Sequence, residues 1–233
     1  MFIVFDRDRS SDSPFIERVW SCHSESGGTF SSVASPHCEI VFARLNGTIT
    51  VTVRGPETKA RPVHCPAHGE WFAIRFKPGT FIRSLPAPRL IDGNDATLPA
   101  LSSHSFWLDG ARWQHPNFEN AETFVARLAK ANVIARDTTV AAALEGDPQI
   151  LSLRSIQRRF IDVCGITHTA LRQIERARHA ATLLTHGVSI GEAQHEVGFY
   201  DQAHLTRAMR RYVGATPATI ARQDEQLSFL YKK

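Results

Sequence analysis

Cysteine is scarce in this chain. Its 233 residues hold four, Cys22, Cys38, Cys65 and Cys164, and no two form a C-x-x-C pair. That spacing gives no disulfide framework, so reduced thiols in a cytoplasmic protein are expected. Long apolar runs are missing too. No stretch approaches about 18 consecutive apolar residues, which excludes a helical membrane span. The opening MFIVFDRDRS turns to charge after a short apolar run, unlike a secretory signal. Lysine is absent between Arg154 and Arg222, where ten arginines face five acids (Asp162, Glu175, Glu192, Glu196 and Asp201). The whole chain carries a formal charge of only +4, so this local excess of +5 is the more informative quantity. Arginine suits bidentate contacts to phosphate and guanine.

The composition changes near residue 119. All four tryptophans and ten of the twelve prolines precede that point, and an Ala-, Arg- and Leu-rich sequence follows. Two units are expected: a β-rich unit over 1–118 and an all-α unit over 119–233, together an α+β multidomain chain.

In the first unit, Glu39–Leu45 is apolar and β-prone, and Thr48–Val53 alternates strictly. Ile49, Val51 and Val53 share one face; Thr48, Thr50 and Thr52 share the other. Asn46-Gly47 between them tolerates the positive φ of a tight turn, so a hairpin is predicted, ended by Gly55-Pro56. Further strands are predicted at Glu70–Lys77 and Phe15–Cys22, giving an antiparallel sandwich or small barrel. His37, His64, Cys65 and His68 raise the question of a metal, because imidazole and thiolate ligate zinc or iron. No second matching pair completes the set, and loop histidines near strand ends are the simpler reading. Trp71, Phe72, Ile74 and Phe76 read as core. No effector site is assigned in this half.

In the second unit, Asn120–Ala129 is predicted to be an amphipathic helix burying Phe124, Val125 and Leu128, and Thr138–Leu144 a short one ended before Pro148. Ser152 caps a helix through Cys164, stopped by Gly165; Leu153, Ile156, Phe160 and Val163 form its inward stripe. Arg154, Ser155, Gln157 and Arg158 then face outward or flank it. A basic helix from about Thr169 to Thr185 follows. At ~1.5 Å per residue it spans roughly 25 Å, which allows two readers near one turn of B-DNA, about 34 Å apart. Ser189 to Glu192 fits an S-x-x-E capping box, and Gly198 makes the turn. Asp201 caps the next helix, where Leu205, Met209, Tyr212 and Val213 face inward and Gln202, Thr206, Arg207 and Arg210 outward.

These residues resemble the AraC/XylS family of bacterial transcription regulators. The resemblance covers about Asp137 to Gln223. Ser152, Arg154, Ile156, Arg158 and Phe160 match one motif; Gly198, Phe199, Asp201, His204 and Arg207 match a second. It implies two helix-turn-helix subdomains joined by a long helix, with Ser152–Cys164 and Tyr200–Tyr212 as recognition helices. Tyr200 thereby joins the eight outward residues as a DNA-binding candidate. It further implies sequence-specific binding to double-stranded promoter DNA and a cupin-like first half that senses a small molecule or forms a homodimer. RNA polymerase is a further implied partner. The chain departs from the family pattern at Gln194, where many such units hold a small residue. It also lacks the paired histidine motif of metal-bearing cupins, which argues against an enzyme; no cofactor, metal or catalytic residue is assigned. Two alternatives stay open: a β half that only dimerises, and a metal-dependent cupin enzyme in which His37, His64 or His68 converge.

Overall fold

The computed structural model describes residues 2–147 and 151–222. Pro148, before which the short helix is predicted to end, lies outside them. The first half pairs its strands antiparallel throughout the described residues. Its strands β1 (Ile3–Ser10), β2 (Ile16–Ser24), β3 (Gly28–Ser32), β4 (Glu39–Leu45), β5 (Thr48–Arg54), β6 (Arg61–Cys65), β7 (Glu70–Phe76), β8 (Thr80–Ile82) and β9 (Ala96–Leu98) precede a small meander. That meander is β10 (Ala100–Ser102), β11 (Ser105–Leu108) and β12 (Ala111–Gln114). Six strands form the main sheet in the order β1-β2-β7-β4-β5-β9. The predicted hairpin is β4–β5, closed where Leu45 faces Thr48, with Asn46 and Gly47 at φ 48° and 78°.

Alternation along these strands builds two cores. Val19, Ile74, Ile40 and Val53 lie in register on one face, which α1 (Ala121–Lys130) and the meander cover. Trp20, Ala73 and Val41 occupy the other face, beneath the β3–β6 ribbon. Thr50 and Thr52 also face that side, where they line a cavity of about 340 Å³. Phe124, Val125 and Leu128 of α1 are buried as expected, but against the sheet. The next strand, β13 (Ile134–Arg136), pairs with β8. Packing therefore groups residues as far as Arg136 with the β half.

The helical half comprises α2 (Thr138–Glu145), α3 (Leu153–Cys164), α4 (His168–Thr185), α5 (Ile190–Glu196), α6 (Gln202–Tyr212) and α7 (Pro217–Ala221). Each has a side-chain N-cap: Asp137, Ser152, Thr167, Ser189, Asp201 and Thr216 respectively. Helix α4 is a common spine. Leu171 and Ile174 belong to a core with α2 and α3; Ala177, Ala181 and Leu184 belong to one with α5, α6 and α7. One inward residue differs from expectation: Leu153 is 79% exposed. It is the first residue of α3, where a side chain has no preceding turn to pack over, so the stripe starts at Ile156. Burial pushes the Cys38 thiol up to about 12 and Cys164 to about 11, which keeps both protonated.

The two halves meet along the strip that follows β3. Val33 sits in the α4–α7 core and Ala34 in the α2–α4 core. Nearby, Glu17 and His37 form a 2.9 Å pair. Burial pushes the Glu17 carboxyl up, yet His37, Arg75 and Arg178 carry it down to about 2.

Candidate nucleic-acid interface

Two helix pairs present similar faces. In the first, Asp137 caps α2 through the Val140 amide at 2.9 Å and receives Arg159 Nε at 2.7 Å, tying α2 to α3. Phe160 is fully buried and stacks on His168 with centroids 4.6 Å apart, joining α3 to the spine. Arg159 is thus held, whereas Arg154, Gln157 and Arg158 lie exposed. Arg158 has Asp162 near it, at 3.8 Å and one turn on. Ser155 is exposed too, but its hydroxyl is 2.9 Å from that of Ser152 and belongs to the cap.

The second pair is held by its turn. Ser189 and Glu192 form the reciprocal capping box. Gly198 takes φ 70°, and Phe199 turns inward beneath Arg176, whose carbon lies 4.3 Å from the ring centroid. Arg176 also donates to the Val197 and Gly198 carbonyls, and His204 meets Phe199 edge-on at 5.1 Å. Gln194 has a role that its departure from the family pattern concealed. Its amide donates to the Phe199 and Tyr200 carbonyls at 3.3 and 3.4 Å, so the larger side chain reinforces the turn. Beyond the turn, Tyr200 is 91% exposed, and Gln202, Arg207 and Arg210 are exposed along α6. Thr206 is half-buried and donates back to the Gln202 carbonyl at 2.8 Å.

Eight of the nine candidates therefore lie on two helices that share one spine, and Tyr200 stands just before the N-cap of the second. Seven offer free outward reach, while Ser155 and Thr206 are partly occupied within their own helices. Both α3 and α6 turn their C-terminal ends toward the β half: Gly165 lies against Ala87, and Gly214 against Ser31 and Ala60. Their N-terminal ends are exposed, the ends that enter a major groove in this class of reader. Sequence reasoning gave no role to Arg172, which is exposed on α4 and, with His168 and His179, lines a groove facing α5. Basic groups at that groove suit phosphate contact, and the arginine excess was its signal.

The histidines of the β half are dispersed. His37 is buried against Glu17 and the Phe76 carbonyl, whereas His64 and His68 are exposed. Among the described residues, no group of three or more His, Cys, Asp or Glu side chains is placed to hold a metal ion. No helix among them is long and apolar enough to cross a membrane.

Capped helix pairs with a glycine turn and arginine-bearing outer faces define a helix-turn-helix domain. Residues 150–223 match the family described as helix-turn-helix domain, and residues 13–90 match a domain of unknown function, DUF6597. Residues 150–223 are thus a helix-turn-helix domain similar to that of AraC-type transcription regulators. It is similar to the HTH-type transcriptional regulator RipA of Corynebacterium glutamicum, 38% identical over 93 residues that cover 39% of this chain and 28% of that protein. It is also similar to RipA of Corynebacterium diphtheriae, 39% identical over 69 residues, or 30% of this chain and 21% of that protein. The chain thus spans less than a third of the length of these relatives. No solved structure matches it.

Proposed function

We propose that this chain is a sequence-specific, DNA-binding transcriptional regulator and not an enzyme, with a cupin-like sensor in the β half and two helix-turn-helix units in the helical half. One observation carries the reading: α3 and α6 expose Arg154, Gln157, Arg158, Gln202, Arg207 and Arg210 while both helices are seated on the same spine, α4. On this reading the sensor runs to about Arg136 and the reader begins at the Asp137 cap. The arginines neutralise phosphates and supply most of the affinity; Arg154, Gln157, Gln202 and Arg207 read base edges, with Ser155, Arg158, Tyr200, Thr206 and Arg210 beside them. A small-molecule effector in the β half sets the output, which promoter DNA and RNA polymerase receive in the cytoplasm, with a second copy of the chain as a further partner.

The test begins with genomic fragments selected by the full chain. On the strongest fragment, Arg154→Ala and Gln202→Ala should each weaken binding by about 1–3 kcal/mol and relax the preference at one base pair. Titration by fluorescence anisotropy reads both effects. Unchanged affinity in the double variant would remove these residues as readers.

A further inference from the structure

The strip Ser31–Ser35 has two sides with different neighbours. On the reader side it grips the end of α6 together with Ala60, the residue before β6. The Ala34 amide donates to the Tyr212 carbonyl at 2.7 Å, the Ala60 amide to the Arg211 carbonyl at 2.8 Å, and the Ser31 hydroxyl to the Val213 carbonyl at 3.2 Å. These carbonyls belong to the last turn of a helix and its cap, where no intrahelical donor remains, so the β half supplies what the helix lacks. Arg178 of α4 donates in return to the Ala34 carbonyl at 3.1 Å. Val33 and Ala34 enter the two reader cores separately, one each. A two-residue wedge thus touches both helix pairs at once.

On its other side the same strip walls the 340 Å³ cavity through Ser32, Val33 and Ser35. Ser32 donates to Glu57 at 2.7 Å, and Ser35 and Glu57 exchange backbone bonds at 3.0 and 2.8 Å. Facing walls carry Trp20, Trp71 and Phe30, and the floor carries Arg54, Arg75, Glu39 and Asp95. The floor's ion pairs are wide: Arg75–Glu39 at 3.5 Å, Arg54–Glu39 at 3.8 Å and Arg54–Asp95 at 3.9 Å. Charge-assisted bonds close to about 2.7–2.9 Å at their best, so these pairs are loose, and the half-exposed Arg54 guanidinium can also donate to a ligand's acceptor group. A cavity of this size suits a compact molecule, with aromatic walls for a flat body.

We propose that this cavity takes a small molecule with a flat apolar body and one hydrogen-bond-accepting end, and that the Ser31–Ser35 strip transmits its presence to both helix pairs. The proposal deepens the effector reading above and rests on it. A ligand filling the space behind the strip blocks its retreat, keeps Val33 and Ala34 seated in the reader, and so fixes the spacing of α3 and α6. Empty, the cavity lets the strip withdraw and the two helix pairs drift relative to one another.

The test uses the full chain and 2-naphthoate, a flat carboxylate, as probe. Quenching of tryptophan fluorescence reads binding, and amide hydrogen exchange reads the strip. At about ten times the probe's Kd, exchange at the Ala34 and Ala60 amides should slow about tenfold, the factor mass action gives when only the closed strip binds. The Phe124 amide of α1, on the far face of the sheet, should keep its rate. Thr52→Trp, which fills the cavity from β5, should abolish quenching. If that variant fails to fold, Ser31→Ala serves instead: it lies outside the cavity lining and removes the bond to the Val213 carbonyl, so it should bind the probe and show less slowing at Ala34. A probe that does not bind, that quenches Thr52→Trp like the parent, or that slows Phe124 as much as Ala34 overturns the proposal. Exchange needs no DNA. A chain with the amide response but no operator would lose the regulator reading alone, and one that binds DNA with silent amides would lose only the transmitter.

Discussion

At the residue scale, single side chains are fixed by what they must satisfy in the backbone. Asp137 serves an amide and a guanidinium together, and Gln194 serves two carbonyls of a turn. Gly214 is the sharpest case. It holds φ 87°, and a Cβ there would stand 2.3 Å from Ser31 Oγ and 3.2 Å from the Ala60 Cβ. Gly187 has nearly the same φ, 82°, with nothing within 4 Å of a Cβ. Gly187→Ala should therefore cost about 1–2 kcal/mol, the left-handed penalty alone. Gly214→Ala should cost roughly 1 kcal/mol more, because the strip must also shift. Urea unfolding of both variants measures the difference. Equal costs would mean that the two halves do not press together at this point. The sequence marks both as glycine stops after helices and says nothing of what each one faces, since that partner lies over 150 residues away.

Among elements, legibility followed local signals. Asn46-Gly47 and strict alternation announced β4 and β5, and the caps announced α3, α5 and α6. Strand β1 had no such signal. Its DRDRS segment reads as solvent-facing charge, yet pairing with β2 makes it the sheet's edge, and Arg9 reaches across to Glu122 on α1. The allegiance of α1 was hidden for the same reason: an amphipathic helix states that it has a buried face and not which surface covers it. The Arg9–Glu122 link gives that allegiance a pH dependence. The Arg9 hydrogen bond, against a smaller push from burial and with help from Ser11, lowers the Glu122 carboxyl from 4.5 to about 2. Its folded-state value lies below the unfolded one, so its stabilising contribution is complete above about pH 4.5 and fades as pH falls toward 2. Glu122→Gln should therefore flatten the fall in Tm between those limits while shifting Tm at neutral pH downward. Melting curves that fall as steeply in the variant as in the parent would show that the link does not stabilise the fold. Both halves of the link sit partly in solvent, so added salt should shrink the effect.

At the scale of the whole molecule, both helix pairs are seated on one helix. Spine α4, at 18 residues, is about 27 Å long. Each pair buries one part of it, and the wedge of Val33 and Ala34 braces both from the β half. If the pairs read one duplex together, their contacts lie on one side of the DNA, about 10 base pairs apart. A rigid double reader gains affinity because the second contact is intramolecular once the first is made, and the gain disappears when geometry forbids both. Inserting five base pairs between the two contacted segments carries the second to the opposite side of the duplex. Neither α4 nor the strip can follow it. Affinity should fall about 100-fold or more, close to the loss from deleting one segment outright, whereas ten inserted base pairs restore the face but stretch the span beyond the spine. The salt slope should drop as well, because phosphate contacts of one pair are forfeited. Gel-shift titrations across the insertion series at two salt concentrations decide the matter. If five inserted base pairs cost less than about threefold while each segment alone still binds, the pairs move independently, and the spine and wedge do not set their spacing.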